Sequence, residues 1–314
     1  MLKFVLKKVV SLIPILVFTT FIVFMVMYGL GDVTFFSWGQ DVSPESIHEW
    51  REIHGLNDPV LVQFTRYITR AFRGDLGRSF TRNVDITDEV MQRLPHTLRL
   101  GAVALGVPLV FAFPIGILAA IKKTTWLDNI VKYAALIGIS IPVFGLGLLL
   151  VLIFALRLDF LPSSGVNYWY SIILPGATLG IGMLGVMMHS VRISMREVER
   201  QNYTIAARAK GLSRSRVMCK HIMRNALVPI LTTFRSHLGN FFIGIILVEV
   251  TFTWPGIGRL LIQGIWARDY PMVMGVVFMF VLFYAVVNIV LDIVMGIVDP
   301  RVRERDVRIE KLTA

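Results

Sequence analysis

The sequence predicts an all-α membrane protein with six transmembrane helices, and two observations carry that prediction. Of the 314 residues, 55% are hydrophobic and 17% are charged, whereas a soluble domain carries about a quarter charged residues. Apolar runs of about 20 residues, long enough to cross about 30 Å of hydrocarbon, recur along the chain. The alternative, a large soluble protein with buried core helices, does not account for six such runs. The predicted spans are residues 9–30, 98–121, 130–156, 172–191, 227–249 and 273–297.

The first apolar run follows Lys3, Lys7 and Lys8, as the core of a secretory signal peptide would. This run is longer than the roughly 7–15 residues of a signal-peptide core, and no small-residue cleavage site follows it. We therefore interpret the run as a retained first span.

Lys and Arg are unevenly distributed between the segments that connect the spans. Residues 31–97 hold seven Arg, no Lys and ten acidic residues, whereas residues 192–224 hold nine Lys or Arg and two Glu. Positively charged loops stay in the cytoplasm, so we expect both termini, the turn at 121–129 and the loop at 192–226 to lie there. The net charge of +11 then reflects topology, and no nucleic acid is needed to explain it.

These assignments divide the chain into four parts. An N-terminal segment with the first span is followed by an extracytoplasmic helical subdomain, a core of five spans and a cytoplasmic tail. Within the core we distinguish the 192–226 loop and an outer loop at 250–271. The four parts are residues 1–30, 31–97, 98–299 and 300–314.

The extracytoplasmic segment carries its own helix signals. Ser43 is placed to cap a helix that has Pro44 at its first position, and Gly55 is placed to end it. A second helix begins at Pro59 and has an apolar stripe. That stripe either packs against the spans, which we expect, or binds a partner. Its members are Leu61, Phe64, Ile68 and Phe72.

Two patterns inside the spans predict how the helices pack. Gly176 and Gly180 form a GxxxG pair, which allows a neighbouring helix to approach closely in lipid. Pro108, Pro114 and Pro142 predict bends, because proline removes a helical hydrogen bond.

Ionisable residues inside spans are candidate functional residues, because a charge in lipid is costly. Arg235 and Asp292 both lie about 10–12 Å deep, at a rise of 1.5 Å per residue from the inner ends of their spans. We expect them to pair or to face a common water-filled cavity, and the alternative is that each reaches water separately. His189, beside Met187 and Met188, either lines a path for a metal complex or is ordinary helix packing, which we favour.

The sequence contains short matches to enzyme motifs, but the predicted structure around them does not fit an enzyme site. The GxGxxG match "GIGMLG" lies inside an apolar span and not after a strand. The "GLGD" that ends at Asp32 is similar to an aspartyl intramembrane protease motif, but such chemistry needs two neighbouring carboxylates, and the best partner, Asp292, is expected near the opposite face. The sequence contains neither GxxxxGK[ST] nor HExxH. We therefore expect no catalytic residue, no metal site and no cofactor bound by this chain, with an intramembrane aspartyl protease as the enzyme alternative.

The loop between the fourth and fifth spans predicts a docking element. Its first helix is expected to end at Gly211, a natural C-cap, and Ser213 can cap a second short helix, "RSRVMCKHIMRN". Ala206, Ala207 and Ala209 are expected to keep one surface flat for a groove on a partner. A DNA-binding helix-turn-helix is the competing interpretation, but the flanking spans leave little freedom to enter a DNA groove.

The loop segments "AARAKGL" and "HIMRNALVP" resemble the cytoplasmic loop of binding-protein-dependent ABC importer permeases. Nearly the whole chain resembles the peptide and nickel branch of that family, with matching segments in family order. The resemblance implies the type I ABC importer permease fold. The further matching segments are "MLKFVLKKVVSLIP", "GLNDPVLVQF", "GDLGRSF", "RLPHTLRL", "FTWPGIGRLL", "RDYPMV" and "DPRVR".

The same resemblance implies a transport subunit of the bacterial cytoplasmic (inner) membrane and not an enzyme. It implies a second homologous permease subunit, two cytoplasmic ATPase subunits that bind ATP and Mg, and an extracytoplasmic substrate-binding protein. The substrate would be a di- or oligopeptide, or alternatively nickel or a nickel chelate.

Two sets of residues take roles from the resemblance. The alanine-rich helix would dock on an ATPase subunit, and the loop with Pro-Gly-x-Gly would face the binding protein. The general importer motif begins with Glu where this chain has Ile205, so the contribution of individual charges to docking is open. The docking set is Tyr203, Ala206, Ala207, Ala209, Lys210, Gly211 and Leu212. The binding-protein-facing set is Phe252, Trp254, Pro255, Gly256 and Gly258.

Overall fold

The computed structural model describes residues 2–29, 44–122 and 125–299. These ranges are mostly helical, and their only β-structure is an isolated bridge between Arg78 and Asp85. The predicted cap at Ser43, Asp32 and the tail at 300–314 lie outside the described residues. The α-helices are α1 Leu2–Gly29, α2 Pro44–Ile53, α3 Val60–Phe72, α4 Ile86–Val107, α5 Phe113–Lys122, α6 Thr125–Ser140, α7 Val143–Leu150, α8 Ile173–Glu199, α9 Asn202–Ala209, α10 Arg214–Arg216, α11 Arg224–Thr251, α12 Ile257–Trp266 and α13 Tyr270–Val298.

Among the described residues, five continuous helical stretches are long and apolar enough to cross a membrane. A sixth candidate span consists of two apolar helical pieces, Trp126–Gly138 and Val143–Arg157, which meet at 104°. The six-span all-α prediction is thus confirmed when this bent pair counts as one span. The five continuous stretches are Val5–Gly29, Ile86–Lys122, Trp169–Glu199, Arg214–Thr251 and Tyr270–Val298.

Proline determines where two of the spans depart from regular helix. The predicted span at 130–156 breaks at Pro142, which precedes α7 and has no amide hydrogen to donate. Pro108 begins a π-helical turn, Pro108–Ala112, at whose end the Phe113 amide donates to the Pro108 carbonyl. In such a turn the backbone hydrogen bonds join residues five positions apart. This local change accommodates the hydrogen bond that proline cannot make, and the span stays continuous.

The described chain forms two compact units. The first unit contains residues 2–5, 98–122, 125–254 and 287–299, and the second contains residues 6–29, 44–97 and 255–286. The predicted domain boundary between residues 97 and 98 falls inside α4, so that helix continues from the second unit into the first.

Helix α8 is the central helix of the first unit, where it contacts α5, α6, α7 and α11. A Cβ atom on Gly176 would lie 2.5 Å from Val103 Cγ1, and one on Gly180 would lie 2.8 Å from the Ala104 carbonyl oxygen. Both distances are shorter than atoms tolerate, so only glycine lets α4 and α8 approach this closely. The close helix packing predicted from the GxxxG pair is confirmed.

The apolar stripe of α3 packs inside the second unit. The Phe64 ring is buried and its centroid lies 5.0 Å from that of Phe21 on α1, in an edge-to-face arrangement. Phe72 meets Phe278 of α13 in the same manner at 5.8 Å. The expectation of packing against the spans is therefore confirmed for these two rings, whereas Leu61 remains exposed.

A buried carboxylate, Asp269, joins two distant segments of the second unit. One carboxylate oxygen accepts hydrogen bonds from the Ser79 hydroxyl and, at 2.8 Å, from the Thr81 hydroxyl. The other accepts the amides of Phe80 at 3.2 Å and Met272 at 3.3 Å. Asp269 therefore caps the first turn of α13 and fixes the 79–81 turn on it.

Replacing Asp269 by Ala is expected to destabilise the protein, because four donors lose their acceptor in a site where the side chain is 1% exposed. Each lost hydrogen bond to a charged group costs about 1.5–3 kcal/mol before relaxation. We expect the melting temperature of the detergent-solubilised protein to fall by about 5 °C or more. The exposed Asp88→Ala on α4 is the matched control; equal melting temperatures for the two variants would contradict the capping role.

Candidate functional site

The 192–226 loop is built from helices that continue the neighbouring spans. Helix α8 continues to Glu199, α9 follows, and helix resumes at Arg214. The predicted separate second helix is wrong in one respect: it continues through a π-helical turn, Val217–Met223, directly into α11. Nothing in that stretch breaks a helix. Ser213 holds the predicted N-cap position, but its side chain makes no capping hydrogen bond.

A tight turn at Gly211 separates α9 from the helix that follows. Gly211 has φ +79°, its amide donates to the Arg208 carbonyl at 2.9 Å, and the Leu212 amide donates to the Ala207 carbonyl at 3.4 Å. This is a Schellman motif, in which glycine accepts the left-handed conformation at least cost. The C-cap role predicted for Gly211 is confirmed.

Helix α9 has one buried face and one exposed face. Thr204 and Ala207 point inward, and the Thr204 hydroxyl donates to the Val198 carbonyl at 2.9 Å. Because Ala207 is 7% exposed, the flat surface does not include it, which corrects the prediction from sequence. The exposed face comprises Tyr203, Ile205, Ala206, Ala209, Lys210 and Gly211.

One ion pair braces α9 within the first unit, and a second group of ion pairs joins α8 to α6. Arg208 of α9 binds Glu199 at the end of α8 at 2.7 Å. Further back on α8, Arg192 and Arg196 both bind Asp128 of α6, at 2.8 and 2.9 Å. Sequence reasoning missed Asp128, although two arginines four residues apart on one helix face signal a shared acidic partner.

The predicted intramembrane pair is present. Arg235 of α11 donates to the carboxylate of Asp292 on α13. The Asp292 side chain is 8% exposed and the Arg235 side chain is 41% exposed. The buried carboxylate therefore has its countercharge, and part of the Arg235 side chain remains exposed.

The Pro-Gly-x-Gly loop is more buried than its predicted role suggests. Phe252, Trp254, Gly256 and Gly258 are all buried, and the Phe252 carbonyl accepts the Gly165 amide at 3.0 Å. These residues shape the loop and do not present its surface. The most exposed aromatic ring of the loop is Trp266, at 76%.

A cavity of about 1060 Å³ opens in the second unit. Two arginines on its wall are ion-paired: Arg66 binds Asp58 at 2.5 Å, and Arg70 binds Asp75 at 2.8 Å. The Arg70 hydrogen bond holds the pKa of the Asp75 carboxyl below its usual value. Among the residues that the structure describes, no cluster of His, Cys, Asp or Glu could hold a metal ion.

Comparison with known proteins identifies the family. The model described as "Binding-protein-dependent transport system inner membrane component" matches residues 112–304. The chain belongs to this family. The model of the corresponding N-terminal region matches residues 1–101 of this permease. It is therefore a multi-span inner-membrane permease subunit of an ABC importer, and nothing supports the protease alternative.

Relatives of this permease match over almost their whole length. It is 36% identical over 304 residues to the glutathione transport system permease protein GsiC of Escherichia coli O6:H1. It is 37% identical to the protein of the same name from Salmonella paratyphi A and 35% identical to that of Escherichia coli K12. In each case the match covers 96% of this chain and 99% of the relative.

Proposed function

We propose that this permease forms half of an ATP-driven translocation path for short peptides, glutathione among them. The observation that carries the proposal is full-length similarity to permeases named for glutathione, a tripeptide. A second permease subunit would supply the other half of the path, and an extracytoplasmic binding protein would deliver the substrate.

The docking of ATPase subunits on the exposed face of α9 is supported by its shape and its bracing. Small side chains at Ala206 and Ala209 allow another protein to approach closely, and the Glu199–Arg208 pair fixes α9 to the end of α8. A force applied to α9 would thus reach a span directly. The positive charge of this loop favours the cytoplasm, where ATP is available, so ATP and Mg would be bound by the partner subunits.

The two ion pairs that Asp128 forms with Arg192 and Arg196 extend this coupling. Through them, movement of α8 would also displace α6, the first half of the bent third span. ATP binding and hydrolysis on the partners would then reorient several spans together, because they are joined by ion pairs and packing and not by the loop alone.

The test is purification and reconstitution of the complete transporter. We expect the tagged permease to co-purify with a second permease and two ATPase subunits. Proteoliposomes that contain this complex and its binding protein should accumulate labelled glutathione or dipeptide only when ATP is supplied to the α9 side.

Each of three outcomes would contradict a different part of the proposal. Purification without any ATPase would remove the docking role of α9. Uptake that is independent of ATP would remove the importer mechanism. Accumulation of nickel with no accumulation of peptide would replace the substrate.

A further inference from the structure

Helix α11 has two contrasting faces in its middle. One face is buried within the chain and apolar, with Leu238, Phe241 and Ile245. The opposite face, at positions separated by three or four residues, is exposed and polar. It consists of the exposed residues Thr232, Ser236 and Asn240 and the half-buried Arg235. A helix in contact with lipid would show the reverse arrangement.

The hydroxyl groups on this polar face are compatible with lipid, whereas the other two side chains are not. Thr232 and Ser236 donate to the carbonyls four residues before them, at 2.9 and 3.0 Å, which satisfies them internally. The side-chain amide of Asn240, by contrast, makes no hydrogen bond to any other residue within the described ranges. Arg235 is a charged residue whose side chain is 41% exposed.

Both residues lie near the middle of the membrane. The predicted span is 227–249, so Arg235 and Asn240 fall on either side of its centre. A partly exposed arginine and a side-chain amide without a partner among the described residues are costly at that depth in hydrocarbon. This face must therefore meet water or a polar partner.

The chemistry of Arg235 indicates what it binds. Asp292 accepts from the Nη1 group of the guanidinium on the buried side, and 41% of the Arg235 side chain is exposed. A guanidinium presents parallel donors that match a carboxylate in two-point contact. Asn240 lies about 7.5 Å further along the helix axis, where its amide can pair with a peptide bond. A bare metal cation would be repelled by Arg235.

We infer that the polar face of α11 lines the water-filled path and that Arg235, positioned by Asp292, binds the carboxylate of the passing peptide. This inference rests on the proposed function and adds a substrate-binding residue to it. A helix of the second permease that covers the face permanently is the competing occupant.

The first experiment measures water access. Cys219 is the only cysteine, so a Cys219→Ser background permits single-cysteine labelling with a charged, membrane-impermeant thiol reagent. We expect Asn240→Cys to be labelled in the assembled transporter and to be protected by peptide, whereas Phe111→Cys, an exposed apolar position in another span, stays unlabelled. An unlabelled Asn240→Cys in the active complex would show that the face is covered and would overturn the inference.

The second experiment measures recognition of the carboxylate. The double variant Arg235→Gln/Asp292→Asn removes both charges, keeps a polar side chain at each position and leaves no unpaired charge. Uptake by the wild type is expected to favour a dipeptide with a free carboxylate about tenfold over its C-terminally amidated form, a preference set by charge-assisted hydrogen bonds. In the double variant this preference should fall to about one.

The outcomes separate this inference from the proposed function. A wild type that transports no peptide contradicts the proposed function and the inference together. A wild type that transports peptides, alongside a double variant that co-purifies with its ATPase subunits and retains the full preference for the free carboxylate, contradicts only the role of Arg235.

Discussion

Ala209→Trp is expected to lower ATP-driven peptide uptake at least about tenfold, equivalent to about 1.4 kcal/mol or more of lost docking energy. Ala209 lies on the exposed face of α9, opposite Thr204 and Ala207. An indole at that position would hold the ATPase surface away from the helix. The chain itself should fold and insert normally, because the side chain points away from its core. Co-purification of the ATPase subunits and uptake in proteoliposomes measure the effect.

Ala209→Ser is the matched control, since it adds one small polar atom at the same position and should retain most of the uptake. If Ala209→Trp bound the ATPase subunits as tightly as Ala209→Ser does, the exposed face of α9 would not be the docking surface.

Gly185→Ala is expected to be the most damaging single-methyl change in the first unit. The added Cβ would overlap the backbone of Ala134 on α6. Backbone cannot rotate away as a side chain can, so α6 and α8 would have to separate. Overpacking of this kind costs about 3 kcal/mol. We expect a low yield of monodisperse protein after detergent extraction and a lower melting temperature.

Gly182→Ala on the same helix is the control. Its Cβ would lie 3.5 Å from Val143 Cγ2, an ordinary contact distance, so yield and melting temperature should stay close to those of the wild type. Similar behaviour of the two variants would mean that α6 and α8 are not packed as closely as described.

Features governed by local chemistry could be predicted from the sequence. The span lengths follow from bilayer thickness, whatever the spans contact. The turn at Gly211 follows from the left-handed conformation that glycine accepts. The approach of α4 to Gly176 and Gly180 follows from missing side chains, and the pairing of Arg235 with Asp292 follows from the cost of an isolated charge in lipid.

Features that depend on distant partners could not be predicted in this way. Asp128 receives two arginines more than sixty positions away, with sequence separations of 64 and 68. Asp269 accepts from Ser79 across 190 positions. The partners of Asp128 and Asp269 cannot be identified from the local sequence, because many other residues of suitable charge or polarity also lie far away along the chain.

The sequence by itself determined the number of spans, the membrane class and the family resemblance, since apolar length and motif order are properties of the chain alone. Only the tertiary structure decided which face of each helix is covered. It turned Ala207 inward, buried the Pro-Gly-x-Gly loop and left the polar face of α11 exposed. The reason is that burial is a property of pairs of surfaces, and helical periodicity specifies a face without specifying what packs against it.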